Sequence, residues 1–195
     1  YGVMPFTTDR FLWEHKDMLV LFSNGNSGPW LYSVGSPATA KNVVSVGATM
    51  NGPDADGMAN FSSHGPTGDG RLKPTLTAPG VAISSADSDG LRDSYNCSTA
   101  AYSGTSMATP TVAGAAALVR QYFVDGYWPS GLRSPADGFQ PSAALVKAAL
   151  GHQVAQLVGG PVRDAGLDAA AGHPDRKGVR MMVATDPSVL VARLV

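Results

Sequence analysis

The feature that most constrains the fold is an apolar segment of helical length over residues 106–123. Nearly every position before Arg120 is apolar or small, so a helix formed here has no polar face to turn toward solvent. Pro110 falls in the first turn, where its missing backbone N–H is not needed for helical hydrogen bonding. The segment therefore predicts a helix buried inside a domain, with Ser106 at its amino-terminal end.

Three short apolar runs upstream are typical of strands buried on both faces. They are residues 18–22, 43–48 and 81–84. A second helix is predicted over residues 142–150, after Pro141. Strands that alternate with buried helices predict an α/β domain built on a parallel sheet. Residues 151–195 show no convincing period, and we expect a tail of unknown structure there.

Charge and cysteine content exclude several classes of protein. Fourteen Lys and Arg against fifteen Asp and Glu give a net charge of -1, without the positive excess that nucleic-acid binding requires. The single cysteine, Cys97, cannot form an internal disulfide or a cysteine-based zinc site. The longest apolar stretch, residues 112–119, is far shorter than the ~18 residues that cross a bilayer. We therefore expect neither a nucleic-acid partner nor a transmembrane segment.

Ser106 follows Gly104 and Thr105 at the start of the predicted buried helix. A helix N-terminus offers unpaired amide donors and partial positive charge, which would stabilise an oxyanion beside a serine that has lost its proton to a base. Gly104 would let the backbone approach a substrate closely. A serine here is also a common helix N-cap, and the local sequence alone favours that simpler role.

The segment 25–29, Gly-Asn-Ser-Gly-Pro, comes shortly after the first predicted strand. Ligands of open α/β sheets bind at the carboxyl ends of strands. Asn26 could present its side-chain amide to a developing oxyanion, although an isolated asparagine in such a segment is usually a turn residue. Together, the two segments favour a serine nucleophile with an oxyanion-stabilising asparagine over two unrelated structural roles.

Both segments together resemble the subtilisin-like serine proteases, the subtilase family. Further matching segments are residues 35–42, 59–67, 73–74, 78–80 and 141–144. The resemblance covers residues 1–150 and implies the C-terminal part of a subtilase catalytic domain. That domain is an α/β structure of three layers, with a parallel sheet between helices. Residues 151–195 diverge from the family and form the second predicted region, a tail.

The resemblance implies a serine endopeptidase that hydrolyses peptide bonds through an acyl-enzyme on Ser106, with Asn26 in the oxyanion hole. It also implies a secreted or extracellular protein. Further positions are implied to bind the polypeptide substrate. They are Gly2 at the end of an edge strand that pairs with the peptide, Ser23, Asn24 and Gly25 in the wall of the specificity pocket, and Gly104 and Thr105 beside the nucleophile.

The chain departs from the family in its catalytic base. The family's aspartate and histidine precede the edge strand, in an Asp-Thr/Ser-Gly motif and a His-Gly-Thr-x-Val-Ala-Gly motif, and neither motif occurs here. The four histidines occupy no equivalent position; they are His15, His64, His152 and His173. We therefore expect both residues upstream of Tyr1, in a missing N-terminal part of the domain, and an inactive chain without it. The alternative is a non-catalytic subtilase-like remnant or peptide-binding module.

Two acidic segments could begin calcium loops, and many subtilases bind calcium. They are residues 54–57 and 87–90, each of the form Asp-x-Asp-Gly. Neither is followed by the glutamate that completes an EF-hand loop, so solvated turns are favoured. No metal or other cofactor is predicted, because no specific motif supports calcium.

Overall fold

A computed structural model describes residues 1–157. The elements in chain order are α1 (Val3–Glu14), β1 (Leu21–Ser23), β2 (Val44–Thr49), β3 (Leu76–Pro79), β4 (Ile83–Ala86), β5 (Thr99–Tyr102), α2 (Thr105–Val124) and α3 (Ala143–Leu157). Short 3-10 helices at Gly52–Asp54 and Pro135–Asp137 lie in connecting segments. Helix α3 continues beyond the predicted boundary at residue 150, and the remainder of the predicted tail lies outside the described residues.

β1, β2 and β3 form a parallel sheet in that order. Leu21 lies opposite Val44, and Val46 lies opposite Leu76. The central strand β2 is buried at every position, including the polar residues Ser45 and Thr49. Its small and apolar residues are typical of a parallel strand covered on both faces. The predicted strands at residues 18–22 and 43–48 are therefore confirmed, with bounds shifted by one to three residues.

Helices cover both faces of this sheet. Val44 and Val46 pack against Ala108 and Val112 of α2 in the main core, which α3 completes with Val146 and Leu150. Successive strand residues point to opposite faces, and Val43 accordingly packs against Leu12 of α1 in a second cluster. This layering is the α/β arrangement of parallel sheet and helices that the sequence predicts.

The third predicted strand, residues 81–84, overlaps an observed strand, but its assignment to the parallel sheet is wrong. The third parallel strand is β3, in which Leu76 and Ala78 are buried and the residues between are half-buried. β4 overlaps the predicted run but pairs antiparallel with β5, with Ile83 opposite Tyr102. The resulting hairpin is largely exposed, so its sequence lacks the apolar character that marks a buried strand.

The amino-terminal residues form no strand. Gly2 has extended backbone and lies at the N-cap of α1, so the predicted edge strand at Tyr1 and Gly2 is wrong. Helix α1 buries only Pro5 and Leu12, and its other apolar residues are spread around the helix. A helix without a single apolar stripe gives no clear period, which explains why the sequence did not predict it. No helix within residues 1–157 is long and apolar enough to cross a membrane.

Candidate active site

The loop after β1 and the start of α2 meet at the carboxyl edge of the parallel sheet. The backbone N–H of Asn24 donates to the carbonyl of Val46 in β2 at 2.8 Å. The N–H of Gly104 donates to the carbonyl of Gly80, directly after β3, at 2.7 Å. Both segments are therefore fixed at the sheet edge where ligands of parallel α/β sheets bind.

Asn26 is joined to Thr105 across this edge. Its Oδ1 accepts hydrogen bonds from the Thr105 N–H and from the Thr105 hydroxyl, both at 2.9 Å. The same hydroxyl accepts a bond from the N–H of Gly25 at 3.3 Å. Thr105 is the first residue of α2, and the N-cap residue Gly104 has no side chain to satisfy its amide. Asn26 therefore caps α2 from a distant loop.

The hydrogen bonds that cap α2 occupy Oδ1 of Asn26 and leave the amide nitrogen, Nδ2, as the available donor. Because Oδ1 is committed to Thr105, Nδ2 points away from it, and Nδ2 has no hydrogen-bond partner among residues 1–157. A Cβ placed on Gly104 would lie 3.4 Å from this nitrogen, so the two residues are close neighbours. The exposed Asn26 side chain thus offers a free donor at the helix N-terminus.

Ser106 is the second residue of α2 and is exposed. In the part of the chain that the structure describes, its Oγ makes no hydrogen bond. Gly104 occupies the N-cap position and Asn26 supplies the capping bond, so Ser106 is not the helix cap that local sequence favours. Its hydroxyl and the Asn26 amide donor both lie at the N-terminus of α2.

A buried segment supports the loop that carries Asn26. Ser63 is fully buried and donates its N–H to the carbonyl of Gly25 at 2.9 Å, while its Oγ accepts from the N–H of Ser27 at 3.0 Å. The N–H of Gly28 donates to the carbonyl of Phe61 at 2.8 Å. Ser63 thus fixes the loop on both sides of Asn26, a role that the sequence did not assign. The sequence feature that could have indicated this role is the pair of serines in the segment Ser-Ser-His-Gly-Pro, residues 62–66.

Two of the other predicted site residues, Asn24 and Thr105, have buried side chains, and the remaining three are Ser23, Gly25 and Gly2. Asn24 and Thr105 are fully buried, and their side chains are hydrogen-bonded to the loops that follow β1 and β2. Asn24 donates from Nδ2 to the carbonyl of Ser63 at 2.6 Å, and its Oδ1 is buried with no hydrogen-bond partner in residues 1–157. Ser23 ends β1, and Gly25 has the positive φ of 108° that glycine adopts without strain. Gly2 makes no hydrogen bond to this group within residues 1–157.

No histidine of the described part is bonded to Ser106. The ring of His15 packs on Phe11 at a centroid distance of 4.2 Å. The N–H of His64 donates to the Ser33 hydroxyl at 2.9 Å, and its Nδ1 is buried without a partner. His152 lies in α3, and His173 falls outside the described residues. The structure therefore provides an exposed serine and an amide donor, with no base bonded to that serine in residues 1–157.

The two acidic segments form turns. Asp54 ends a 3-10 helix, and the carboxylate of Asp89 accepts the N–H of Leu91 at 2.9 Å. That bond, followed by one from Ser94, lowers the pKa of Asp89. Among residues 1–157, no three His, Cys, Asp or Glu side chains come together as a metal site.

Comparison with known proteins identifies the family. A model of the Subtilase family matches residues 6–173, more than half of the chain. The Serine protease/ABC transporter B family protein tagD of Dictyostelium discoideum is 43% identical over 53% of the chain, and Serine protease AprX of Bacillus subtilis (strain 168) is 42% identical over 53%. The chain spans only 6% of tagD and 26% of AprX.

Solved structures show the same relationship. The S41 Psychrophilic Protease superposes with a TM-score of 0.55 and 30% identity, covering 75% of this chain and 43% of that one. The matched family model and this shared subtilisin-like fold agree with the arrangement of Asn26, Thr105 and Ser106 at the edge of the sheet. The chain belongs to the subtilase family of serine peptidases.

Proposed function

We propose that this chain supplies the nucleophile and an oxyanion donor of a serine endopeptidase, which cleaves polypeptides through an acyl-enzyme on Ser106. The observation that carries the proposal is the double hydrogen bond from Thr105 to Oδ1 of Asn26. A residue that only closed a turn would not need its amide held in one orientation. Here that orientation leaves Nδ2 free beside an exposed serine at a helix N-terminus.

In this mechanism, Ser106 Oγ attacks the scissile carbonyl carbon, and the carbonyl oxygen becomes negatively charged. Asn26 Nδ2 and the N–H of Ser106 donate hydrogen bonds to that oxygen. The N-terminus of α2 adds its partial positive charge. A single donor of this kind contributes about 3 to 4 kcal/mol to the transition state. The donor is fixed before the reaction, because Thr105 and Ser63 hold its loop.

The proton of Ser106 needs a base from outside residues 1–157. We expect a histidine and its orienting aspartate in the upstream part of the same domain, and the 195-residue chain without that part would be inactive. Calcium has no assigned place in this proposal. A secreted or extracellular location follows from the family and stands as an expectation.

The test is capture of the native protein from its source with a fluorophosphonate probe, followed by intact mass and mapping of the modified peptide. A labelled species well above 20.1 kDa, with the adduct on Ser106, is the expected result. The Ser106→Ala variant is the control and should remain unlabelled. An unlabelled native protein of 20.1 kDa would instead support the alternative, a non-catalytic remnant or peptide-binding module.

A further inference from the structure

We propose that a basic cavity at the amino-terminal edge of the sheet binds a small oxyanion of the size of phosphate or sulfate. The cavity has a volume of about 460 Å³ and is lined by Lys41, Arg71, Leu72, Lys73, Pro74, Thr75 and Lys147. Lys41 precedes β2, and Lys73 precedes β3. Ser106 and Asn26 lie at the carboxyl ends of these parallel strands, so the basic cavity is separate from the candidate active site.

Within residues 1–157, the two central lysines, Lys73 and Lys147, are bonded to neutral groups. Lys73 Nζ donates to the carbonyl of Ala40 at 2.8 Å, and Lys147 Nζ donates to the carbonyls of Lys41 and Val43 at 3.1 Å and 3.0 Å. An ammonium group carries three donors, so each lysine keeps at least one donor free. Carbonyl oxygens do not neutralise the charge of an ammonium. Both lysines therefore carry a positive charge without a salt-bridge partner in the part of the chain that the structure describes.

Arg71 adds further unused donors. Its Nε is paired with the carboxylate of Asp69 at 3.0 Å, whereas Nη1 and Nη2 are buried without a hydrogen-bond partner among the described residues. The guanidinium lies 5.5 Å from the centroid of the Tyr1 ring, and Lys41 Nζ lies 5.3 Å from the same centroid. Tyr1 thus holds two cations at the rim of the cavity through cation–π contacts.

The nearby carboxylates are already committed. Asp9 accepts the N–H groups of Lys41 and Asn42 and the hydroxyl of Tyr1. Asp69 accepts from the Thr67 hydroxyl at 2.6 Å in addition to Arg71. The four cations Lys41, Arg71, Lys73 and Lys147 therefore outnumber the two carboxylates, one of which is already paired with Arg71. An anion with several acceptor oxygens would satisfy the free donors of Lys73 and Lys147 and neutralise the excess charge.

The lowered pKa of Lys73 agrees with a site in which its positive charge has no counter-ion. Burial, followed by the charges of Lys147 and Arg71, lowers the pKa of Lys73 to about 8. Burial also lowers the pKa of Lys147. A chain with a net charge of -1 has no general excess of positive charge, so this concentration of cations is local. That restricts the ligand to a small anion rather than a nucleic acid.

The experiment is a titration of the 195-residue chain with inorganic phosphate at pH 7, followed by NMR of the backbone amides. Sodium chloride at matched ionic strength is the reference. We expect saturable shifts at residues 40–43 and 71–75 with phosphate and not with chloride. Lys73→Gln and Lys147→Gln should each weaken phosphate binding by about tenfold, the factor expected for losing one charge-assisted hydrogen bond. Arg92→Gln, in the hairpin between β4 and β5, removes the same charge elsewhere and should leave binding unchanged.

Shifts that are identical in phosphate and chloride would overturn the proposal. Equal weakening by Arg92→Gln would also overturn it, because the effect would then be one of net charge. Near-ultraviolet circular dichroism of each variant checks that the fold is intact. If Lys73→Gln does not fold, Lys147→Gln decides the question. Neither result depends on activity at Ser106, so failure here is distinct from failure of the proposed function.

Discussion

Thr105 donates hydrogen bonds from its backbone and its hydroxyl to the same oxygen of Asn26, both at 2.9 Å. The two residues are 79 positions apart in the chain. One contact therefore caps α2 and sets the direction in which the Asn26 amide donates. Stability of the helix end and orientation of the proposed oxyanion donor are coupled through a single oxygen atom.

Replacement of the Thr105 hydroxyl should loosen that orientation. In a form of the protease that includes the upstream part of the domain, we expect Thr105→Val to lower kcat about tenfold with little change in KM. Valine keeps the shape and the N–H bond, while Gly25 and Asn26 each lose a partner. Thr105→Ser keeps the hydroxyl and should retain most of the activity. Steady-state kinetics on a peptide substrate measures both, and an unchanged kcat for Thr105→Val would show that the hydroxyl does not position Asn26.

Two substitutions of Asn26 separate capping from oxyanion stabilisation. Asn26→Ala removes the cap and the donor, so we expect kcat to fall by about 10² to 10³ and the free energy of unfolding to fall by about 1 kcal/mol. Asn26→Asp keeps an acceptor for Thr105 but replaces Nδ2 with oxygen. It should lose activity to a similar extent while keeping stability. Peptide hydrolysis and urea unfolding test the pair, and an active Asn26→Asp enzyme would limit Asn26 to capping.

The elements that could be predicted from the sequence are those in which neighbouring residues are mostly small or apolar. β2 consists mainly of small and apolar residues and is buried at every position. α2 forms where a helix is predicted, but it is less buried than expected: five of its 20 residues are buried, and they are Thr105, Ala108, Val112, Ala116 and Phe123. The hairpin of β4 and β5 is exposed, so no apolar pattern marks it. The support that Ser63 gives to the loop around Asn26 joins residues 36 or more positions apart. Such contacts depend on the folded topology, which a pattern of neighbouring residues does not contain.

Adding one methyl group at Gly28 should disturb the contact between the loop around Asn26 and the segment of residues 61–63. A Cβ placed there would lie 2.0 Å from the carbonyl oxygen of Ser62, a backbone atom that cannot turn aside. We expect Gly28→Ala to lower the free energy of unfolding by about 2 to 3 kcal/mol, the range of overpacked sites. Gly68→Ala is the matched control, since a Cβ there meets nothing within 4 Å. Urea unfolding of both variants measures the difference, and equal stabilities would contradict the close approach of these two loops.

Lys73 should make stability depend on pH in the alkaline range. Burial, followed by the charges of Lys147 of α3 and Arg71, lowers its pKa to about 8 from the 10.5 of an ordinary lysine, while Asp9 of α1 opposes the shift. Between these values the unfolded chain binds more protons than the folded one, so the free energy of unfolding rises with pH. We expect a rise of about 1 to 2 kcal/mol between pH 7 and 9.5, less than full linkage because solvent screens part of the effect.

The Lys73→Gln variant should lack this part of the rise, since glutamine does not titrate. Urea unfolding in phosphate-free buffer, with both proteins measured at pH 7 and 9.5, gives the difference directly. Lys147 also has a lowered pKa and contributes with the same sign. Because the charges of Lys73 and Lys147 interact, the difference between the two proteins measures Lys73 together with its coupling to Lys147. Equal pH dependence in the two proteins would mean that Lys73 keeps its ordinary pKa. The Lys73 ammonium would then be solvated by water, and it would not be a buried charge in the basic cavity that needs an anion.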